Sequence, residues 1–249
     1  ASDFAAIKPG SAEANALRAR LKAEGLWSQY LEVGFGDYAE IFTKAQPMSA
    51  VGCGAEIGIL SASDWNNPEP EVALAVTSKG KIVGATLAND VNLRDMEGRS
   101  ALLLGKAKDN NASCAIGPFI RLFDGSFSLT SVASAHISLE VIGKDGFHLK
   151  GASDMSKISR TSEDLVSQAI GAHHQYPDGL LLLLGTMFAP VEDRRAPGQG
   201  FTHEAGDCVR ISTPSLGTLT NWTTSSERAE PWTFGTSALM ANLAKRGVL

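Results

Sequence analysis

Two glutamates two residues apart, Glu69 and Glu71 in NNPEPEVALAV, stand at the entrance to an apolar run, and a second run, GATLANDVNLRD, passes through Asn89-Asp90. In an extended chain, residues i and i+2 share a face and lie about 6.5–7 Å apart. Both carboxylates would therefore project one way, beside a tail (Val72, Leu74, Val76) that wants a core. Like charges held this close repel unless a positive charge lies between them. A hairpin turning at Lys79-Gly80 places Glu69 opposite Asp90 and Glu71 opposite Ala88, so that three carboxylates converge. A slip of one residue would turn Asp90 to the other face.

Three hard oxygen ligands suit Mg²⁺, with Mn²⁺ able to substitute, because such ions keep some positions for water or substrate oxygens. Zinc prefers His or Cys, and neither is close in sequence. The plain alternative is a pair of solvated glutamates at a strand entrance and an aspartate capping a turn. Other groups have similarly plain readings. His173-His174 ends a helix before Pro-Asp-Gly, a turn signal, and Lys106 and Lys108 in GKAKDNNAS fit a solvated loop. PGQGFTHEAGD (197–207) reads as a turn and strand start. It contains neither GxxxxGK[ST] nor GxGxxG, and no GxSxG nucleophile elbow occurs in the chain.

The elements that would position these groups are mostly short strands. Ser11 to Leu31 has helical composition, with Leu17, Leu21, Leu26 and Trp27 near helical spacing. EVALAVTSKGKIVGATLANDV reads as one hairpin and AHISLEVIGKDGFHLKG as a second, turning at Lys144-Asp145-Gly146. GLLLLLGTMF is apolar enough for a strand covered on both faces, and DCVRISTPSLGTLTNW supplies further strands. Thr161-Ser162-Glu163-Asp164 is a capping box predicting a helix of about ten residues. A last helix is expected over 237–246. Strands dominate without regular alternation with helices, which points to an α+β, mainly β roll and away from a doubly wound sheet.

The 249 residues are 43% hydrophobic and 20% charged, with net charge −5. That is enough chain for a sizeable core in one large domain or two small ones. The mild acidity and lack of a basic run argue against nucleic acid as a partner. Cys53, Cys114 and Cys208 form no metal-like spacing and read as reduced, mostly buried thiols. The longest apolar run is far short of the roughly 20 residues that cross a bilayer, and ASDFAAIKPGSAE lacks the pattern of a signal peptide. A soluble, cytoplasmic protein is expected.

Taken together, EPEVALAV, ANDVNLRD, KDNNASCAIGP, LLLLLGT and GDCVRIS followed by LGTLTN resemble the fumarylacetoacetate hydrolase superfamily, in that family's order, from about Ile41 to Asn221. EIFTKAQPMSAVG, NNPEPEV, LLLGKAKDNNASCAIGPF, HHQYPDG and GQGFTH look like its 2-keto-3-deoxy-sugar-acid dehydratase branch. The resemblance implies a mixed β-sandwich roll over 41–249 with a few peripheral helices. It leaves 1–40 as a helical segment, the remnant of an N-terminal domain or a linker from one. It implies that Glu69, Glu71 and Asp90 are metal ligands, with Mg²⁺ as cofactor. Lys108 matches a substrate-contacting catalytic lysine ten residues before Pro118. Arg94 matches an arginine that shapes the site, Gly185-Thr186 a pair whose threonine binds the substrate carboxylate, and Lys44 a Phe-x-Lys lysine near the ligand. Homodimers or homotetramers are implied as well.

The expected reaction is dehydration of a 2-keto-3-deoxypentonate to 2-oxoglutarate semialdehyde through an enolate. C–C hydrolysis or decarboxylation of an acylpyruvate- or oxaloacetate-like acid is the alternative. Hydrolase members carry a histidine on a lid segment, and GFGDYAE here has none, which favours dehydration. The base that removes the C3 proton is left open among His173, His174, His203 and Glu97.

Overall fold

A computed structural model describes residues 7–249; the first six residues of the expected 1–40 segment lie outside the described residues. The expected single helix over 11–31 is two: α1 (Ala12–Ala23), capped by Ser11, and α2 (Gln29–Phe35), capped by Ser28. Gly25 takes φ 70° and the Leu26 N–H donates to Leu21 O at 2.8 Å. This is the left-handed glycine ending that terminates many helices, and it leaves Leu26 exposed.

The strands follow as β1 (Glu56–Ile59), β2 (Asn66–Asn67), β3 (Pro70–Val76), β4 (Ile82–Asp90) and β5 (Asn92–Leu93). Two short helices, α3 (Arg94–Glu97) and α4 (Leu104–Lys108), lead to β6 (Cys114–Leu122). After α5 (Leu129–Ala133) come β7 (His136–Ile142) and β8 (His148–Asp154), then α6 (Ser162–Ala169) and β9 (Leu180–Leu183). β10 (Cys208–Thr213), β11 (Gly217–Ser225) and α7 (Thr236–Lys245) complete the order. One sheet runs β1-β11-β10-β7-β8, with β1 parallel to β11 and the other pairs antiparallel. A second runs β6-β4-β3-β9, and β2 pairs with β5. This is the mixed, mainly β architecture expected.

Alternation builds the core between the sheets. Val72, Leu74, Val76, Ala85 and Leu87 from one sheet join Ile137, Leu139, Val141, Leu149, Val209, Ile211 and Leu219 from the other in a single buried cluster. Burial of such side chains contributes about 1.5–3 kcal/mol each. The opposite face of β3 and β4 carries Glu71, Ala73, Thr86, Ala88 and Asp90.

The hairpin that sets this face differs from the simple two-residue turn. Thr77 pairs with Lys81 through N–H···O of 2.9 Å, so the loop has three residues, with Gly80 at φ 75° as its left-handed member. A three-residue loop alone would bring Asn89, not Asp90, opposite Glu69. Val83 corrects this: Val76 pairs with Ile82 but Ala75 pairs with Gly84, so Val83 is an extra residue in β4. Beyond this bulge Glu71 pairs with Ala88, and the Asp90 N–H donates to Glu69 O at 3.1 Å. A bulge of one residue reverses every downstream side chain, so Val83 is what turns Asp90 toward the glutamates.

Other expectations need correction. β9 is not covered as a central strand; it is an edge, with Leu182 and Leu184 in the core and Leu181 and Leu183 half-buried beside a cleft. The α6 cap forms through Thr161 Oγ1 and the Asp164 N–H (3.1 Å), but the Asp164 carboxylate turns to Arg160 Nη1 and Gln168 Nε2, both at 3.1 Å. All three cysteines are free, yet Cys53 is exposed. Among the described residues no helix is long and apolar enough to cross a membrane.

Candidate active site

Glu69, Glu71 and Asp90 offer carboxylate oxygens that all lie within 4.8 Å of one another. Each carboxylate is held from outside. Asn92 Nδ2 donates to Glu69 Oε1 at 3.0 Å and also to Glu97 Oε2 at 2.8 Å. The Gly185 N–H donates to Glu71 Oε2 at 2.8 Å. Gly185 sits at φ 85°, a left-handed conformation that few other residues adopt, so the bend after β9 can aim its N–H at the cluster.

Two lysines supply positive charge. Lys108, at the end of α4, places Nζ 2.6 Å from Glu69 Oε2 and 3.3 Å from Asp90 Oδ2. Lys44, from the irregular stretch between α2 and β1, lies 2.9 Å from Asp90 Oδ1. Asp90 Oδ1 is nonetheless buried without an aligned hydrogen bond. Lys44 spends its N–H groups on Val91 O (2.9 Å), Ser113 Oγ (3.3 Å) and the Lys108 carbonyl.

The charges strain one another. Burial pushes the Glu69 carboxyl up to about 7; the Asp90 charge adds to this, while Lys108 opposes it. Burial drives Glu71 well above the ordinary carboxylate range, with Asp90 and Glu69 adding to the shift. For Lys108, burial works downward, but Asp90 and Glu69 prevail and hold its ammonium above the usual lysine value. An all-carboxylate donor set, with the pKa values of Glu69 and Glu71 raised by burial and by neighbouring charge and with one buried oxygen lacking a hydrogen bond, fits a hard divalent cation.

The cluster opens into a cleft of about 1500 Å³. Arg94, Gly185 and Thr186 line it as well. Arg94 stacks its guanidinium 4.5 Å from the Trp65 ring centroid. Thr186 Oγ1 accepts the Phe188 N–H at 3.1 Å. Of the open candidates for a base, only Glu97 borders the cleft. His173 Nε2 pairs with Gln168 O at 3.0 Å, His174 packs edge-on to Tyr176, and buried His203 sits 3.2 Å from Asp207 Oδ2.

Three cleft residues escape a reading by motif: Glu40, Trp65 and Asn92. Glu40 ends the GFGDYAE stretch, where a search for histidine passes over it. Burial raises its carboxyl pKa; Glu97 and Asp90 add to the rise and Lys108 opposes it. The ring of neighbouring Phe42 lies 5.8 Å from Lys108 Nζ, bringing this stretch over the cluster.

Comparison with known proteins agrees with this architecture. The family described as Fumarylacetoacetate (FAA) hydrolase C-terminal matches residues 22–223. The chain is 34% identical over 180 residues to a 2-dehydro-3-deoxy-D-arabinonate dehydratase of Saccharolobus solfataricus, covering 72% of this chain and 57% of that protein. It is 33% identical over 208 residues to a probable 2-keto-3-deoxyxylonate dehydratase of Haloferax volcanii, covering 82% and 66%. The chain thus spans less than two thirds of the length of these curated relatives. A solved structure of 2-keto-3-deoxy-D-arabinonate dehydratase complexed with magnesium and 2,5-dioxopentanoate superposes with TM-score 0.66 at 32% identity, covering 77% of this chain and 63% of that one. By its sequence match and its fold, this chain belongs to the fumarylacetoacetate hydrolase family.

Proposed function

We propose that this chain carries the centre of a divalent-cation-dependent dehydratase, converting a 2-keto-3-deoxypentonate such as 2-keto-3-deoxy-D-xylonate to 2-oxoglutarate semialdehyde. The observation that carries the reading is the meeting of Glu69, Glu71 and Asp90 with the Lys108 ammonium in one cleft. Similarity to dehydratases, one of them solved with magnesium and 2,5-dioxopentanoate, supports it.

Glu69, Glu71 and Asp90 would hold Mg²⁺, or Mn²⁺ in its place. When bound, the ion supplies Lewis acidity toward the C2 carbonyl of the 2-keto acid and makes the C3 protons acidic. The protein's own groups do the rest. The Thr186 hydroxyl, set in place by the Gly185 turn, receives the substrate carboxylate, and Arg94, steadied by Trp65, shapes the wall. Glu40 takes the C3 proton; its raised pKa brings a carboxylate closer to the range useful for general-base work. Lys108 is an ammonium, not a base, and donates a proton to the departing C4 hydroxyl. The C3–H and C4–O bonds break, water leaves, and the resulting enone with its C5 hydroxyl tautomerises to the C5 aldehyde. Glu40 regains its starting state by releasing the proton it took, and Lys108 by taking one up. A cytoplasmic homodimer or homotetramer goes with this reading.

The test is incubation with 2-keto-3-deoxy-D-xylonate and Mg²⁺. Semialdehyde formed without pyruvate is the expected result. Release of pyruvate would point to C–C cleavage instead, and no turnover by cation-loaded protein would overturn the proposal.

A further inference from the structure

Lys44 is a buried cation to which the proposed chemistry gives no task. Its side chain is only 8% exposed, and its three N–H groups are taken by Val91 O, Ser113 Oγ and the Lys108 carbonyl. Although it borders the cleft, no N–H remains for a substrate oxygen. Its charge, however, lies 2.9 Å from Asp90 Oδ1, inside the cluster that would hold the cation.

We propose that Lys44 is a specificity-determining counter-charge, which sets the net charge of the cation-loaded cluster and so fits the cleft to a 2-keto acid bearing a single carboxylate, without touching it. This rests on the function proposed above. Three carboxylates and two ammonium groups meet here; with the carboxylates ionised, the form that a cation binds, the net charge is −1. A divalent ion brings the cluster to +1, and a mono-anionic acid brings it to neutrality. With Lys44 neutral, the same cluster is −2 when empty and 0 when loaded. It then attracts a cation more strongly and an anion less. Glu40, Glu97 and Arg94 are the same in both forms and drop out of the comparison. The charges are buried, where such interactions are several-fold stronger than in water.

The two affinities should therefore move in opposite directions. Lys44→Met keeps a straight side chain and removes the charge. Mn²⁺ binding without substrate is read by electron paramagnetic resonance, and pyruvate binding by titration of the Mn²⁺-loaded protein. Mn²⁺ should bind roughly tenfold tighter and pyruvate roughly tenfold weaker, while Lys44→Arg should keep both within about threefold of the parent. If Lys44→Met does not fold, Lys44→Gln, neutral but still a donor to the carbonyls, carries the same test. Weakening of both ligands would show Lys44 to be only a structural pin. Weaker pyruvate with unchanged Mn²⁺ would show a direct substrate contact, and no change in either would remove any role; each overturns the proposal. If the parent protein binds no Mn²⁺, the proposed dehydratase centre falls along with it. A parent that binds Mn²⁺ and turns over substrate leaves that centre standing whatever Lys44 does.

Discussion

The raised pKa values of the carboxylate cluster lead to a pH dependence that can be worked through. Glu69 is pushed from 4.5 up to about 7 in the metal-free protein, chiefly by burial. A cation binds the carboxylate, so below this pKa a proton must leave first. Apparent affinity then falls by the factor 1 + 10^(pKa − pH). For Glu69 alone that is about elevenfold at pH 6 and close to unity at pH 8, a loss of roughly tenfold over two units. Glu71 is also raised well above the ordinary range, chiefly by burial, so the measured slope should be steeper than one group gives. Stability of the metal-free protein should run the other way. Folded Glu69 holds its proton above the pH at which the unfolded chain loses it, so stability is greatest below about pH 4.5 and declines as pH rises toward 7, by up to about 3 kcal/mol from this group. Mg²⁺ should reverse that slope. Isothermal titration with Mg²⁺ from about pH 6 to pH 8, with thermal melts in chelator, measures both. Affinity that is flat across this range would show that Glu69 and Glu71 are not raised as described.

Three further outcomes follow from particular side chains. Glu71→Ala should remove cation binding and activity while circular dichroism and melting remain those of a folded protein; retained Mg²⁺ binding would contradict its place among the ligands. Glu40→Gln should lower kcat by at least about a hundredfold with Mn²⁺ affinity little changed, and unaltered kcat would remove Glu40 from proton transfer. Asp207→Ala leaves buried Arg194 without its closest partner, the pair being 2.5 Å apart and each 1% exposed. It should cost about 3–5 kcal/mol in chemical denaturation, and a loss below about 1 kcal/mol would show that water or Asp145 compensates.

The meeting of the three carboxylates was legible because it depends on local rules. Period-two alternation pairs Glu69 with Glu71, and hairpin counting brings in Asp90. The count reached the right register through two departures that offset each other: the loop has three residues rather than two, and Val83 bulges by one. Glycine-ended helices were less visible, since Gly25 breaks a stretch whose leucines continue the helical spacing. Glu40 was opaque for another reason, and Lys44 came into view through the family resemblance alone. They sit in an irregular stretch whose contacts, to Gln168, Val91 and Lys108, span long separations that no periodicity reports. The leucine run of β9 was misread because an edge strand facing a cleft is as apolar as a buried one. The five-block pattern, matched in order along the chain, carried the family where local physics stopped.

Three acidic side chains, from β3, the residue before it and the end of β4, would hold a hard divalent ion where a 2-keto acid binds. A crystal soaked with Mn²⁺ and pyruvate, measured at a wavelength where manganese scatters anomalously, tests it directly. One strong peak is expected among Glu69, Glu71 and Asp90, with pyruvate beside it facing Lys108. A peak elsewhere, or pyruvate bound away from that trio, would contradict it.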